Sequence, residues 1–441
     1  MLAACPGATD VVKGLPIDLH VEIIATRRVP AVERFVGRLE EELRPYREAS
    51  GGRLHVTVSD ADEPAVSERA RAADLAKIPF DENGRVVWNE ASKAKERAFF
   101  GIRFTYGAVE DRIEAIDPDA SRNIGLSIHL RLRTIRDRGG MVQRKIGVLT
   151  GHGEASLSDP LLGRDSVASL IAKAIPIFRF VDVDLRRQPS IDPSLDGLIV
   201  LQPKSDLSED ELRAIDRFVL RGHSLVVVTS AVQVRADDTQ KADLERHGLD
   251  RLLRGYGIEI GNDAVLDETQ SLKRREAEAA PSFVVVDKSG LRNASLPLWR
   301  TDRLVLPFAS SVTVRPDAQP EAALQVLATS SANAEIARTS PLDLSRSPGG
   351  TRSPVALAAS VEGTLTSAFG KERSAAPARV LAIASAGLWQ NPLGGQDANA
   401  ALRSSLIHVD NDALFALRNT LYWMTVDAGV LRCSWNLASG S

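Results

Sequence analysis

The stretch "LSEDELRAIDRFVLRGHSLVVVTS", residues 207–230, decides the fold class of this chain. Ser208 and Glu211 have the spacing of a capping box, so a helix begins here, and Gly222 ends it. The helix has apolar positions at helical spacing, namely Leu212, Ile215, Phe218 and Val219. "SLVVVT" is almost wholly apolar, which is typical of a parallel strand covered on both faces. The unit predicts an α/β domain with a parallel sheet, whose ligands bind at the carboxyl ends of the strands.

The same alternation predicts that this second domain covers residues 146–430. Strands are expected at "KIGVLT" (from Lys145), "FRFVDVDL", "GLIVLQP" and "RVLAIASAGLW", with a helix at about 163–174 and a last helix at "NDALFALRNTLYWMTVDAG". Residues 337–356 are rich in Pro, Ser, Arg and Gly and predict a long exposed loop.

Residues 16–138 predict a separate domain of order β-α-β-α-β-β-α. The elements are "DLHVEIIAT", a helix from Pro30 to about Arg47, "RLHVTVSD", a helix over 62–78, strands at "RVVWN", "FFGIRFTYG" and "VEDRIEAI", and a helix from Asp119. This order is thioredoxin-like. A redox member would carry C-x-x-C after the first strand, but the chain has "TRRVPAV" there, which excludes that chemistry. Gly139 and Gly140 indicate a linker over 139–145.

Composition excludes several classes of protein. The 441 residues are 44% hydrophobic and 26% charged, an ordinary balance for a folded chain of two or three domains. A net charge of -3 argues against a nucleic-acid surface. The two cysteines, Cys5 and Cys433, cannot form a disulfide framework or a cysteine-based zinc site. "MLAAC" resembles a lipoprotein cleavage box at Cys5, yet no basic or apolar segment precedes it. No apolar run approaches the roughly 20 residues of a membrane span.

The turn in "KIGVLTGHGE" (145–154) permits a dinucleotide interpretation. Gly151-x-Gly153-x-x-Ser156 follows a strand, and Asp182 and Asp184 lie about 30 residues further on. Serine replaces the third glycine, however, and Pro160 delays the helix. Both departures weigh against a bound dinucleotide.

A second interpretation of the turn is an acid/base or metal site built from His152 and Glu154. No second histidine lies at ligand spacing, and the other six read as structural residues. There is no G-x-S-x-G elbow, no P-loop and no cysteine after a strand of the α/β region. We therefore expect no catalytic residue, no metal and no cofactor. The favoured interpretation is that both glycines supply a positive φ, while His152 and Glu154 bond locally or touch a partner.

The strand-end rule predicts one surface made from three turns, which we call the rim. It comprises Gly151, His152, Gly153, Glu154, Gln202, Pro203, Lys204, Thr229 and Ser230. We expect the rim to meet a ligand or a partner protein.

Several blocks of the sequence resemble the GldG family. They are "KIGVLTGHGE", residues 196–230, "LLRGYGIEIGNDAVLDE", "LQVLATSSANAE", "RVLAIASAGLWQN" and "NDALFALRNTLYWMT". Their order and spacing extend the resemblance over residues 16–430. Members are auxiliary components of an uncharacterised ABC-type transport system, linked in some bacteria to gliding motility.

The resemblance implies a thioredoxin-like domain followed by a glutamine-amidotransferase-like (flavodoxin-like) domain, both outside the cytoplasmic membrane. It implies a non-catalytic binding or scaffolding subunit with permease and ATPase partners, and a homodimer is compatible with it. Members usually carry a terminal membrane helix, which this chain does not show. The alternatives are a hydrolase or nucleotide-dependent enzyme that uses His152 and Glu154, and a cytosolic small-molecule sensor.

Overall fold

The computed structural model describes residues 7–87, 94–118, 124–139, 143–159, 166–175, 177–238, 240–275, 278–292, 294–299, 301–389 and 400–425. Cys5, Gly140, Pro160 and Cys433 lie outside these residues, and so does the cleavage-box resemblance. The chain is mixed α/β and divides into two compact units, Met1–Gln143 and Arg144–Thr425. Within the described ranges, no helix is long and apolar enough to cross a membrane.

The first unit contains five strands and three α-helices in its described part. They are β1 (Leu19–Ala25), α1 (Pro30–Ala49), β2 (Leu54–Asp60), α2 (Pro64–Ala72), β3 (Lys77–Phe80), β4 (Glu96–Tyr106), β5 (Val109–Ile113) and α3 (Ile124–Gly139). The strand order is β2-β1-β4, and both β3 and β5 pair with β4. β1 runs parallel to β2 and antiparallel to β4.

α1 begins at Pro30, as the sequence predicts, because proline at the first helical position loses no hydrogen bond. Its apolar face is buried against the sheet, where Phe35 meets Phe100 edge to face with ring centroids 5.7 Å apart. α3 packs on β4 and β5 through Ile128, Leu132 and other buried apolar residues.

The helix predicted over residues 62–78 is longer than the helix in the structure. α2 ends at Ala72, and Asp74 has a φ of 51°, a left-handed conformation that does not continue a helix. The chain then forms β3, because Ile78 and Phe80 are buried in the core beside β4. Of the strand expected at "RVVWN", Val86 forms a single bridge to Phe80, and residues 88 and 89 lie outside the described residues.

The second unit contains the α/β sheet and a series of short strands. Its elements are β6 (Arg144–Thr150), α4 (Val167–Ala174), β7 (Phe178–Asp184), β8 (Gly197–Leu201), α5 (Glu209–Leu220), β9 (Ser224–Val228), β10 (Val232–Val234), β11 (Lys241–Leu244), α6 (Leu249–Gly255), β12 (Ile258–Ile260), β13 (Ala264–Leu266), β14 (Ser271–Arg275), β15 (Glu278–Asp287), β16 (Arg303–Pro307), β17 (Val312–Val314), β18 (Ala323–Thr329), β19 (Glu335–Ala337), β20 (Leu342–Asp343), β21 (Ala356–Gly363), β22 (Ala378–Ile383) and α7 (Ala400–Thr425).

The main sheet has seven strands in the order β18-β21-β22-β9-β8-β6-β7. β22, β9, β8, β6 and β7 are parallel, as expected, but β21 and β18 extend the sheet in antiparallel fashion. The expected parallel sheet is therefore mixed. The sequence pattern misses this because a buried antiparallel strand between two other strands is as apolar as a parallel one.

β9 occupies the centre of this sheet, and all five of its residues are buried, which confirms the sequence interpretation. α5 begins at the predicted capping box: the Ser208 hydroxyl accepts from the Glu211 amide, and the Glu211 carboxylate accepts from the Ser208 amide at 2.8 Å. Leu212, Ile215 and other buried residues of α5 pack on one face of the sheet, and α7 contacts β9 and α4.

Residues 337–356 are mostly exposed but are attached at two places. Leu342 lies in β20, which pairs with β11, and its side chain is buried. The buried Glu335 carboxylate accepts hydrogen bonds from the amides of Gly349 and Gly350 at 2.7 and 2.8 Å and from Arg352 Nε at 2.9 Å. The segment is thus held against the body of the second unit.

Asp216 joins α5 to a distant loop through a buried carboxylate. It accepts hydrogen bonds from the Tyr256 hydroxyl (2.5 Å), the Ser367 hydroxyl (2.7 Å) and the Ala368 amide (2.9 Å). Burial, followed by the carboxylate of Asp216, raises the pKa of Tyr256 well above 10.0, so the phenol stays a donor. Residues far apart in sequence are held together here by one side chain.

We expect Asp216→Ala to reduce the free energy of unfolding of the second unit by about 3 kcal/mol, because two buried donors and one partly buried donor lose their acceptor. Asp182→Ala, at an exposed position of β7, should change it by less than about 0.5 kcal/mol. Urea denaturation of both variants provides the measurement. Equal midpoints for the two variants would contradict this role for Asp216.

Candidate functional site

The three turns of the rim lie side by side at one edge of the main sheet. β6, β8 and β9 are neighbouring parallel strands, so the turns that follow them lie at their carboxyl ends. The Lys204 amide donates to the His152 carbonyl at 2.8 Å, which joins the first turn to the second. The structure therefore brings the predicted rim residues together.

Gly151 and Gly153 adopt φ values of 109° and 75°, which side chains rarely tolerate. A Cβ at Gly151 would lie 3.0 Å from Asp184 Oδ1, and one at Gly153 would lie 3.2 Å from Lys204 Cβ. Both glycines are exposed. The interpretation that they supply positive φ at a tight turn is confirmed.

The His152 side chain is fully buried between two carboxylates. Its Nδ1 lies 3.1 Å from Glu154 Oε1, and its backbone amide donates to Glu154 Oε2 at 2.6 Å. Its Nε2 lies 3.1 Å from Glu211 Oε1, an ion-pair distance without the alignment of a hydrogen bond. Because the ring is 0% exposed and Glu154 only 1%, neither side chain meets solvent.

Glu211 is the functional neighbour that sequence reasoning missed. It lies 59 positions after His152 in the chain, and the capping box already accounts for its presence. One carboxylate thus serves two structures: Oε2 caps α5 through Ser208, and Oε1 faces the imidazole. Burial alone would raise the pKa of Glu211, but the hydrogen bonds from Ser208 and the charge of His152 outweigh it and hold that pKa below 4.5.

Gln202 fixes the other two turns to each other. It has a φ of 41°, uncommon for a residue with a side chain, and is 4% exposed. Its amide oxygen accepts from the Ser230 amide (2.8 Å) and the Thr229 hydroxyl (3.1 Å), and its amide nitrogen donates to the Ser230 carbonyl (3.1 Å). Pro203 beside it is buried, whereas Lys204 is exposed.

The geometry does not support a dinucleotide at this turn. The Ser156 hydroxyl accepts from the Ser158 amide at 3.0 Å, which closes a short polar turn. α4 begins only at Val167, so its amino end does not follow Gly153 directly. Asp184 Oδ1 accepts from the Arg186 amide at 3.1 Å and belongs to its own turn, while Asp182 is exposed.

The other histidines with described side chains make ordinary contacts. His20 and His55 stack on adjacent strands with centroids 5.0 Å apart, and His129 lies near the Tyr46 hydroxyl. His223 stacks on Phe218, and burial lowers its pKa, assisted by Arg221. His247 contacts Asp206 at 3.1 Å, and the side chain of His408 lies outside the described part. In the described ranges, no three His, Cys, Asp or Glu residues are placed to hold a metal ion.

Comparison with protein families decides where this chain belongs. Residues 143–417, more than half of the chain, match the model of a family described as an ABC-type uncharacterized transport system. The chain belongs to this ABC-transport auxiliary family. The match contains the main sheet and the whole rim.

Solved structures resemble this ABC-transport auxiliary protein only distantly. The mmIFT52 N-terminal domain is 14% identical, with 64% of this chain and 98% of that domain covered and a TM-score of 0.37. A cytoplasmic protein from Salmonella typhimurium LT2 is 11% identical, with coverages of 64% and 99% and a TM-score of 0.32. The exo-beta-1,4-mannosidase Op5Man5 from Opitutaceae bacterium strain TAV5 is 10% identical, with coverages of 90% and 51% and a TM-score of 0.29.

Similarities with TM-scores this low carry no conclusion about the fold or the activity of the ABC-transport auxiliary protein. Among curated proteins, none matches the chain. The family assignment therefore rests on the matched residues 143–417 alone.

The depressed pKa of Glu211 predicts how acid weakens the rim. The ionised carboxylate stabilises the folded state at pH values above about 4.5, and this contribution is lost as the pH falls through the lower folded-state pKa. We expect Glu211→Gln to destabilise the second unit by about 1 kcal/mol at pH 7. The difference from wild type should shrink below about pH 4.5, measured by urea denaturation across pH. Glu372→Gln, an exposed glutamate without a described side-chain partner, should give a constant difference near zero.

Proposed function

We propose that this protein is a non-catalytic binding or scaffolding subunit of its ABC-type transport system, and that the rim contacts the partner. One observation carries the proposal: hydrogen bonds between His152 and Lys204, within the first turn, and from Gln202 to Ser230 join the three turns into a fixed surface. On it, the exposed Lys204 stands next to the exposed Gly153. Lys204 forms no ion pair with any described residue, so its charge is free to meet a partner.

The same contacts weigh against the alternative of an enzyme. A general base must reach the proton that it removes, yet the His152 ring is fully buried and both of its nitrogens face carboxylates. Glu154 is directed to the same ring and to the His152 amide. The two residues therefore stabilise the turn, and a partner would meet the backbone and Lys204 above them.

The finer assignments belong to this proposal and rest on the resemblance to the GldG family. They are a thioredoxin-like domain over 16–138, an amidotransferase-like domain over 146–430 joined by residues 139–145, a position outside the cytoplasmic membrane, permease and ATPase partners, and a link to gliding motility. The parallel β1–β2 pair beside antiparallel β4 and β5 supports the first assignment. The five parallel strands of the main sheet support the second.

Reversing the charge of Lys204 tests the rim. We expect Lys204→Glu to weaken capture of the permease subunit of its transport system by roughly tenfold, because a like or mismatched charge at an interface disfavours association. The measurement is surface-based binding of the purified permease subunit to wild type and variant at two salt concentrations.

Lys371→Glu is the matched control. Lys371 is also exposed in the same unit, but it precedes β22 and so lies toward the amino ends of the parallel strands. It should leave binding unchanged. Equal weakening by both variants, or none by Lys204→Glu with the fold intact, would refute the rim as the contact surface.

A further inference from the structure

A cleft of about 700 Å³ lies beside the rim, between the loop after β7 and α5 with the segment that precedes it. Its volume is in the range of sites for small ligands. It is lined by Leu185, Arg186, Pro189, Asp206, Leu207, Ser208, Asp210, Glu211 and Arg217. Leu185 and Leu207 are buried and provide an apolar base. Arg186 donates to the Ser205 hydroxyl at 3.1 Å, which closes the wall toward Lys204.

Three of the five charged residues that line the cleft already have partners. Arg186 bonds Ser205, Asp206 contacts His247 Nδ1 at 3.1 Å, and Glu211 accepts from Ser208. Asp210 and Arg217 are exposed, and neither forms a hydrogen bond or ion pair within the described part of the chain. The cleft therefore presents one acidic and one basic side chain that have no hydrogen-bond or ion-pair partner within the described part of the chain.

The helix sets the spacing between the backbone positions of these two residues. Asp210 and Arg217 are seven residues apart on α5, which is two turns, so they lie on one face with about 10 Å between their Cα atoms. Three extended residues of a peptide also span about 10 Å. A short peptide with free ends carries an ammonium group and a carboxylate group at that separation.

We propose that the cleft binds free peptides of about three residues as zwitterions. The ammonium group meets Asp210, the carboxylate meets Arg217, and a central apolar side chain rests on Leu185 and Leu207. This inference rests on the proposed binding role and adds a ligand class to it, at a place next to the rim.

The helix dipole by itself favours an acidic residue near the start of α5 and a basic one near its end. It accounts for the order of the charges, but it does not account for the cleft that both residues line or for the absence of partners among the described residues. Glu209 and Arg213, four positions apart on the same helix, show the usual arrangement, since they bond each other at 2.7 Å. The test therefore has to separate ligand binding from helix stabilisation.

Titration calorimetry with the full chain and the peptide Ala-Leu-Ala provides that test. We expect saturable binding with a Kd on the order of 0.1 mM. The N-acetylated and the C-amidated peptides should each bind wild type about fivefold more weakly than the free peptide does. Asp210→Asn and Arg217→Gln should each bind the free peptide about fivefold more weakly than wild type does. The orientation adds a stricter expectation: Asp210→Asn should not further weaken the acetylated peptide, nor Arg217→Gln the amidated one.

Asp182→Asn and Arg179→Gln are matched controls at exposed positions of β7 outside the cleft, and both should bind Ala-Leu-Ala as wild type does. No binding by wild type up to several millimolar, or equal binding by all variants, would overturn the proposal. The proposal would also be overturned if Asp210→Asn reduced the stability of the helix but kept the wild-type affinity for Ala-Leu-Ala. Lys204→Glu should leave peptide affinity unchanged, so a failure of the cleft is distinguishable from a failure of the rim in partner capture.

Discussion

The turns at the carboxyl ends of β6, β8 and β9 depend on one constraint: their polar groups are too deeply placed for water and must bond to one another. The His152 carbonyl accepts a hydrogen bond from the Lys204 amide, and the His152 ring lies between Glu154 and Glu211. The side-chain amide of Gln202 bonds both the backbone amide and the carbonyl of Ser230. Removing the Glu154 or the Gln202 side chain would leave a buried group without its hydrogen-bond partner, which costs about 1–3 kcal/mol. These bonds and the one from the Lys204 amide hold the three turns of the rim in place.

A consequence is that the residue types associated with chemistry are used for structure here. His152, Glu154 and Gln202 are buried and bonded, whereas the groups left over are Lys204, Asp210 and Arg217, which are exposed and unpaired among described residues. Exposed charges without an internal partner contribute little to stability, so their positions are free to serve recognition. The exposed side chains that form no contact stabilising the fold are therefore the candidates for recognition in this protein.

The sequence predicts the parts of this arrangement that are local. The capping box of α5, proline at the start of α1, the apolar β9 and the positive φ of Gly151 and Gly153 each follow from a few neighbouring residues. Contacts between distant residues are not encoded in such patterns. Glu211 facing His152 and Asp216 fastening Tyr256 are of this kind, as is β3, where burial against β4 overrides the helical pattern.

The energetics of His152 favour the proposed binding role over catalysis at this residue. To act as a general base, the ring would have to leave the hydrogen bond to Glu154 and the ion-pair contact with Glu211, and a hydrogen bond to a charged group contributes about 1.5–3 kcal/mol. A loss of at least about 1.5–3 kcal/mol leaves an exposed ring in fewer than about one molecule in ten. General acid–base catalysis accelerates a step by about 10²–10⁴-fold, so the low population of the exposed ring would offset part of that acceleration. A fixed imidazole instead keeps the neighbouring backbone and Lys204 in one geometry. This favours recognition because these groups lose little conformational entropy when a partner binds.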